Sequence, residues 1–557
     1  MSPIFLDIET DNSEGYNGLD VFNGRIVTLQ MLLPSGKAVI LKDPKNLDHI
    51  KPILENNLII GHNLKFDAKF LKQQFGITLG NVYDTQIAEI IISGGLYAGK
   101  KNVVRLQDLV LQYCGKQMNK EEQTGFLYGI PLTQSQKEYA INDVYYLPEI
   151  YKQQQAKIKL LDLEKIVNIE MKALPAIVWL ELSGISLDLN KLEILKKRVQ
   201  ERKDVSQAKL HEMFGDINLN STQQLRKALN DIGIAVENTK AEELAKYQHP
   251  VLDQLKEYKD TAKLLNTFIG KMAEFINPAT GRVHADYYQI GAVTGRLACR
   301  NPNMQQQPSK KLHEWKEIFI AGEGNKIVTA DYSQIELRIL AQLSGDEEYI
   351  KAYKEGTDLH KLTASKIFNK PLDQVTGDER SVAKTVNFGI AYGMWIPSLQ
   401  MKLKPYGIEV SEVEARAIID GFYKVYPKVT KYLNTTSVRG LNRLAVTTMA
   451  GRLIRFERPT DKKEQGSVKR QSKNFPIQGL CADMVKIAIG NIFLKLEPLG
   501  VMFVATVHDE IVFECTEEQA EYVQSVVKEE MEMAGSQFIT DLPCISEVFI
   551  NDYWHKD

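Results

Sequence analysis

Over the first 150 residues, short apolar runs alternate with stretches whose apolar positions recur every three or four residues. Ile4–Ile8, Ile26–Leu33, Ala38–Leu41 and Leu58–Ile60 read as strands, and Asp67–Gln74 and Gln134–Tyr151 as helices. That alternation predicts an α/β unit, with Gly94–Asn102 as its most obvious flexible loop. From Gln153 to Lys271 the pattern is long, charged and helical. Strands return after Gly281, helices occupy roughly 333–438, and a basic stretch, Lys462–Lys473, precedes a last α/β part. The basic run Lys191–Lys209 reads either as a solvated helix face or as a helix lying along a phosphate backbone.

Composition narrows this picture. A chain of 557 residues suggests three or four packing units. The net charge of −2 excludes a uniformly basic nucleic-acid coat, but not a basic groove balanced by acidic metal sites. Five scattered cysteines without a CxxC pair argue against zinc ribbons and disulfide scaffolds, and for a reducing compartment. No apolar run approaches the ~20 residues of a bilayer span, and MSPIFLDIETD carries no basic-then-apolar leader. The expectation is a cytoplasmic enzyme with no membrane association.

Candidate chemistry falls into two groups. In the first, Asp7 and Glu9 lie two apart in a strand-like run and share a face. Gly61-His-Asn63-Leu-Lys-Phe-Asp67 follows a strand and opens a helix, offering a third carboxylate. Tyr139 and Asp143 are one helical turn apart. Four converging carboxylates, Asp7, Glu9, Asp67 and Asp143, would repel unless divalent cations neutralise them. Hard oxygen ligands suit Mg²⁺, with Mn²⁺ as a substitute, and two such ions can drive phosphodiester hydrolysis with Tyr139 orienting the water. These ordered motifs resemble the DEDD-type 3′–5′ exonucleases of the tyrosine subclass. Asp84, beside Thr85, is read as structural support.

In the second group, Ile327–Arg338 is a strand ending at Asp331 and running into a helix with Gln334 and Glu336. Phe503–Phe513 reads as two strands around His508-Asp509-Glu510. Carboxylates on adjoining strand ends would make a second two-metal site. Between them Arg380, Lys384 and Phe388 are spaced by four, a helix face reading cation, cation, aromatic, with Tyr392 at its end. Such a face suits a triphosphate and a base or sugar.

With the supporting segments Gly281–His284, Thr294–Leu297, Asn301–Gln305 and Arg470-x₃-Asn474-x₃-Gln478-Gly, nearly the whole chain resembles the family A DNA polymerases. The likeness is to an exonuclease–polymerase of the Klenow-fragment type in the DNA polymerase I group. It implies a ribonuclease H-like α/β exonuclease domain over 1–155. It also implies an α+β right-hand polymerase over 156–557, with thumb about 185–285, palm about 286–345 and 480–557, and fingers about 346–479. Asp331 and Asp509 would bind two metal ions, with Glu510 in support. Lys384 would contact the phosphates and give a proton to departing pyrophosphate, while Arg380 and His360 grip the β- and γ-phosphates. Gln334 belongs to the nucleotide site, and Glu336 resembles the steric gate against a ribose 2′-hydroxyl. Phe388 implies weak dideoxynucleotide incorporation, and Tyr392 would meet the template base. Arg296, Gln478 and His508 would touch the primer terminus or minor groove, Asn474 and Arg470 the template, and Asn63 the DNA in the exonuclease site.

The implied partners are primer–template DNA and dNTPs, with the chain monomeric. No 5′-nuclease segment precedes Asp7, and the short Leu264–Gly281 segment leaves no room for a thioredoxin-type processivity insertion. Ala298-Cys299 replaces the small hydroxyl residues the family commonly has after Gly-Arg-Leu, and Leu480-Cys481 departs from its usual small residues after Gln478-Gly. Intact Asp331, Lys384 and Asp509 disfavour a nuclease that merely grips DNA, and Glu336 disfavours a single-subunit RNA polymerase. A purely structural role explains none of the carboxylate pairs.

Overall fold

A computed structural model of the chain describes residues 3–11, 13, 15, 17–96, 104–118, 125–308, 312–391 and 393–556. The N-terminal unit is built on a five-stranded mixed sheet. In spatial order its strands are Ala38–Lys42, Ile26–Leu32, Ile4–Thr10, Ile59–Gly61 and Val82–Asp84. The first three pair antiparallel, and the last two run parallel to the central strand. The central strand is buried except at Asp7 and Glu9, which face outward together. That alternation is the strand period seen in the sequence, now with a buried neighbour on each side.

The helix expected over Gln134–Tyr151 is two helices, Gln134–Tyr145 and Leu147–Leu160. Pro148 lies in the first turn of the second, where its missing N–H is harmless, whereas inside one continuous helix it would break the ladder. Val82–Asp84, Thr85–Ser93 and Leu106–Cys114 complete the unit without a clear counterpart in the apolar pattern. Of the expected Gly94–Asn102 loop, residues 97–102 lie outside the described residues.

Helix Glu164–Ser183, almost wholly buried from Ile166 to Glu181, joins the two units. Trp179 on it donates its indole N–H to Val501 O at 3.0 Å and packs against Phe493, Phe503 and Phe513. Lys65 and Lys69, on the helix that also carries Asp67, reach across to Glu181 at 2.5 and 2.7 Å.

Helices Leu189–Phe214 and Pro250–Lys263 then project with a small core of their own, around Leu210, Leu225, Leu229 and Leu255. Four residues of the basic run are ion-paired there: Lys191 with Glu317, Lys196 with Glu193, Arg198 with Glu314 and Arg202 with Glu257. These pairs tie that helix face to neighbouring carboxylates, a feature that neither reading of the basic run included.

The C-terminal unit centres on a four-stranded antiparallel sheet. Its order is Met502–Val507, Glu510–Thr516, Asn325–Tyr332, Ser546–Asn551, so the chain places two distant segments side by side. Helices from Ile335 to Arg443 pack beside it, and their buried residues continue the same core. Helix Lys462–Leu496 spans 35 residues and absorbs the Lys462–Lys473 stretch that the sequence reads as separate. Its apolar half has the length and hydropathy of a membrane span, but 78% of that window is buried inside the protein, as in a core helix. A boundary at 155/156 falls inside helix Leu147–Leu160, and one at 479/480 inside helix Lys462–Leu496.

Candidate active sites

The first site lies on the open face of the mixed sheet. Asp7, Glu9 and Asp143 bring carboxylate oxygens within 4.8 Å of one another, the group of three drawn that close among the described residues. Asp7 Oδ2 also accepts the Gln30 Nε2 donor at 2.6 Å from the adjacent strand. Tyr139, one turn before Asp143, packs against Phe126 at the same corner. Burial, then the charges of Asp143, Glu9 and Asp7, push its phenol above the ordinary range.

Asp67 is not one of the three. It is buried behind them, and its Oδ1 accepts the Ile8 N–H at 2.9 Å, between Asp7 and Glu9. Burial and the neighbouring Asp7 raise its pKa well above the carboxylate range. A carboxylate in that state favours a proton or a cation.

Asp84 is the support that the sequence suggested. Its side chain accepts backbone N–H groups from Asn63, Leu64, Gln86 and Ile87, capping one helix and holding the start of the helix that presents Asp67. Asn63 itself is exposed and left-handed, with φ 57°.

The second site lies at one end of the antiparallel sheet. Asp331 sits opposite Glu510 on one neighbouring strand and opposite Glu547 on the other. Asp509 occupies the turn between Met502–Val507 and Glu510–Thr516, after His508 at φ 59°. Burial and the charge of Asp331 push Asp509 up to about 7. Burial also raises Asp331, against the pull of Lys556. Glu510 is buried and fully partnered: Lys316 Nζ lies 3.0 Å from Oε1, Lys556 Nζ lies 3.0 Å from Oε2, and the Trp554 indole N–H donates to Oε1.

Helix Gly377–Ala391 presents the predicted face. Arg380, Lys384 and Phe388 are exposed or half-buried, while Val382, Ala383, Val386 and Ile390 are buried behind them. Arg380 Nε donates to Asp358 Oδ2 at 2.8 Å, and Asp358 caps the helix carrying His360. Sequence reasoning missed Asn387. It is fully buried on the rear of this helix, and its Nδ2 donates to His360 Nδ1 at 2.9 Å. The Thr363 hydroxyl oxygen meets both ends of that amide, 3.2 Å from Oδ1 and 3.1 Å from Nδ2. The asparagine lies one position from Phe388, a place that helical spacing alone assigns to packing. Burial, 2% exposed by area, holds His360 down at about 4 and keeps it neutral.

Arg296 is ion-paired with Glu336 at the start of helix Ile335–Ser344, and Gln334 precedes it in a left-handed conformation, φ 52°. The Gln334 side chain accepts the Tyr353 hydroxyl at 3.2 Å. Arg470, Asn474 and Gln478 rise four apart along helix Lys462–Leu496, and Asn474 Oδ1 is buried without a partner among the described residues. Cys481, one turn further, is buried against Arg296, so burial pushes its thiol well up. Tyr392 lies outside the described residues.

Both donor sets fit a hard divalent cation. The first is an all-carboxylate cluster. In the second, Asp331 Oδ1 is buried with no hydrogen-bond partner among the described residues, an arrangement that costs free energy unless a cation meets it.

Residues 1–159 match the family model of a 3′–5′ exonuclease, and residues 189–556 that of DNA polymerase family A. Thermostable DNA polymerase I of Thermus aquaticus is 34% identical over 405 residues, 70% of this chain and 48% of that protein. DNA polymerase I of Aquifex aeolicus is 29% identical over 93% of this chain and 91% of that protein. The Pseudomonas aeruginosa enzyme is 30% identical over 99% of this chain and 63% of its own length. The fold matches the POL domain of Pol1 from M. smegmatis, solved with DNA primer-template and dNTP. The TM-score is 0.84 at 23% identity, over 99% of this chain and 95% of that one. The α/β unit and the α+β unit are thus an exonuclease fold and a right-hand polymerase fold, and this chain belongs to DNA polymerase family A, with a 3′–5′ exonuclease domain in front, both metal-dependent kinds of domain.

Proposed function

We propose that this chain extends a DNA primer along a template with dNTPs in its C-terminal site, and removes mispaired 3′ ends in its N-terminal site. The observation that carries the reading is the pair of carboxylate clusters on two separate sheets, each built from residues that the chain brings together from afar. Asp331 and Asp509 would hold two Mg²⁺ ions, and Asp7, Glu9, Asp67 and Asp143 two more, with Mn²⁺ as a substitute. These ions supply Lewis acidity at the primer 3′-hydroxyl and at the attacked phosphodiester. Glu510, already held by Lys316, Lys556 and Trp554, would support the site rather than bind an ion.

Arg380, Lys384 and the neutral His360 would hold the triphosphate. Lys384 would give the proton taken up by pyrophosphate. Phe388, Tyr392 and Gln334 would line the nucleotide pocket, with Glu336 excluding a 2′-hydroxyl. Arg296, Gln478 and His508 would meet the primer end, and Arg470 and Asn474 the template. In the N-terminal site Tyr139 would orient the attacking water, and Asn63 would contact the strand being trimmed. These phosphate and groove contacts tolerate any sequence, as copying requires. The projecting helices 185–285 would act as thumb, 286–345 and 480–557 as palm, and 346–479 as fingers. A monomer in the cytoplasm, serving replication or repair, fits this reading.

The test follows a labelled primer–template with one mismatched 3′ base in Mg²⁺. The wild type should shorten the primer without dNTPs, and trim then extend it with them. Asp7→Ala should lose shortening and Asp509→Ala extension, each by at least about 10²-fold, while the other activity persists. A wild type that shortens but never extends a matched primer would overturn the polymerase reading.

A further inference from the structure

The tail of the chain is fastened before it reaches Asp331. Ala321 N donates to Asp552 O, and Trp554 N to Phe319 O, both at 2.9 Å. The Trp554 side chain is 0% exposed, and its ring packs 5.5 Å from that of Phe319. Two residues beyond this anchor, Lys556 Nζ lies 2.6 Å from Asp331 Oδ2 and 3.0 Å from Glu510 Oε2. The two carboxylates are not equally dependent on it. Glu510 keeps Lys316 and the Trp554 indole if Lys556 leaves. Lys556 is the ion-pair partner of Asp331 among the described residues, and the other Asp331 oxygen has no hydrogen-bond partner there.

We infer that Lys556 is the resident counter-cation of the C-terminal metal site, holding Asp331 when no divalent ion is bound and competing with that ion for it. This rests on the reading of Asp331 and Asp509 as metal ligands. An ammonium at 2.6 Å from a ligand oxygen offsets the repulsion among Asp331, Asp509 and Glu510. A divalent ion arriving at Asp331 meets that positive charge and must displace it. The long lysine stem allows the move. Lys556 itself lines a cavity of about 390 Å³, with Gln305, Gln307, Lys316, Glu510 and Trp554, which gives the stem room to turn. The alternative is a passive tie that only fixes the tail, and it predicts no gain in metal affinity when the charge is removed.

The experiment uses the full chain without DNA, in a D7A/E9A background that removes two ligands of the N-terminal site. Free Mn²⁺ is counted by electron paramagnetic resonance. Lys556→Gln should bind Mn²⁺ about tenfold more tightly than the parent, and Lys556→Arg should match the parent. Unchanged or weaker binding by Lys556→Gln, with binding still lost in Asp509→Asn, would overturn the counter-cation and leave the metal reading standing. Mn²⁺ binding that survives Asp509→Asn would remove the metal reading, and this inference with it.

Discussion

The Arg296 guanidinium is ion-paired with the Glu336 carboxylate, tying the loop after Gly295 to the first turn of helix Ile335–Ser344. The pair is mostly buried, and Arg296 Nε has no partner among the described residues. A carboxylate so held cannot swing away from a nucleotide sugar without leaving a buried cation alone. Glu336→Ala should therefore raise ribonucleotide insertion, relative to deoxyribonucleotide, by about tenfold or more. Single-nucleotide kcat/KM values for rCTP and dCTP check it, and an unchanged ratio would remove Glu336 from sugar selection.

That loop is itself held from behind. Lys486, 0% exposed, donates to Gly295 O and to Glu170, each at 2.6 Å. Arg452 bridges Glu170 and Asp483 in the same network. Removing one partner of a buried ionic network leaves an uncompensated charge. Lys486→Met should cost about 3–5 kcal/mol in urea unfolding. In the fraction that remains folded, KM for primer–template should rise more than kcat falls, because Arg296 loses its support.

Asp84 makes the corresponding prediction for the exonuclease. Its side chain holds four backbone N–H groups, from Asn63, Leu64, Gln86 and Ile87. Asp84→Ala should cost about 2–3 kcal/mol, since the buried Leu64 and Ile87 N–H groups lose their acceptor. Shortening of a mismatched primer should fall at least about tenfold through displacement of the helix bearing Asp67, while extension of a matched primer stays near wild type. Equal loss of both activities would point to global unfolding instead.

His360 sets a pH dependence. Its folded pKa, about 4, lies below the ordinary histidine value of 6.5. The folded protein thus binds fewer protons than the unfolded chain between these values. Its contribution to stability is fully present above pH 6.5 and is lost as pH falls toward 4, by up to about 1.4 kcal/mol per unit. His360→Gln should flatten that part of the stability curve in chemical denaturation. Because the ring stays neutral, the dNTP KM of the wild type should not drop between pH 8 and pH 6, as protonation of an ion-pairing histidine would make it do.

Much of this was legible along the chain, for local reasons. Asp7 and Glu9 share a strand face because side chains alternate, and Arg380, Lys384 and Phe388 share a helix face because four residues make one turn. Those periods belong to the backbone and need no partner. The break at Tyr146 was just as local, in Pro148, yet the apolar pattern ran one helix through it.

What the chain folds against was decided elsewhere. Asp331 meets Glu510 only because two strands almost 180 residues apart pair in one register, and no local period encodes that choice. Asn387 carries no signal of its own, since its task is to orient His360 from another helix. Asp67 looked like an equal member of a carboxylate quartet, and packing set it behind the other three, on the Ile8 amide. Lys556 and Glu181 stand in no motif along the chain, and only the fold sets them against Asp331 and against Lys65. Sequence spacing determined which residues face the same way, and tertiary packing alone decided which charges lost their water and what they meet there.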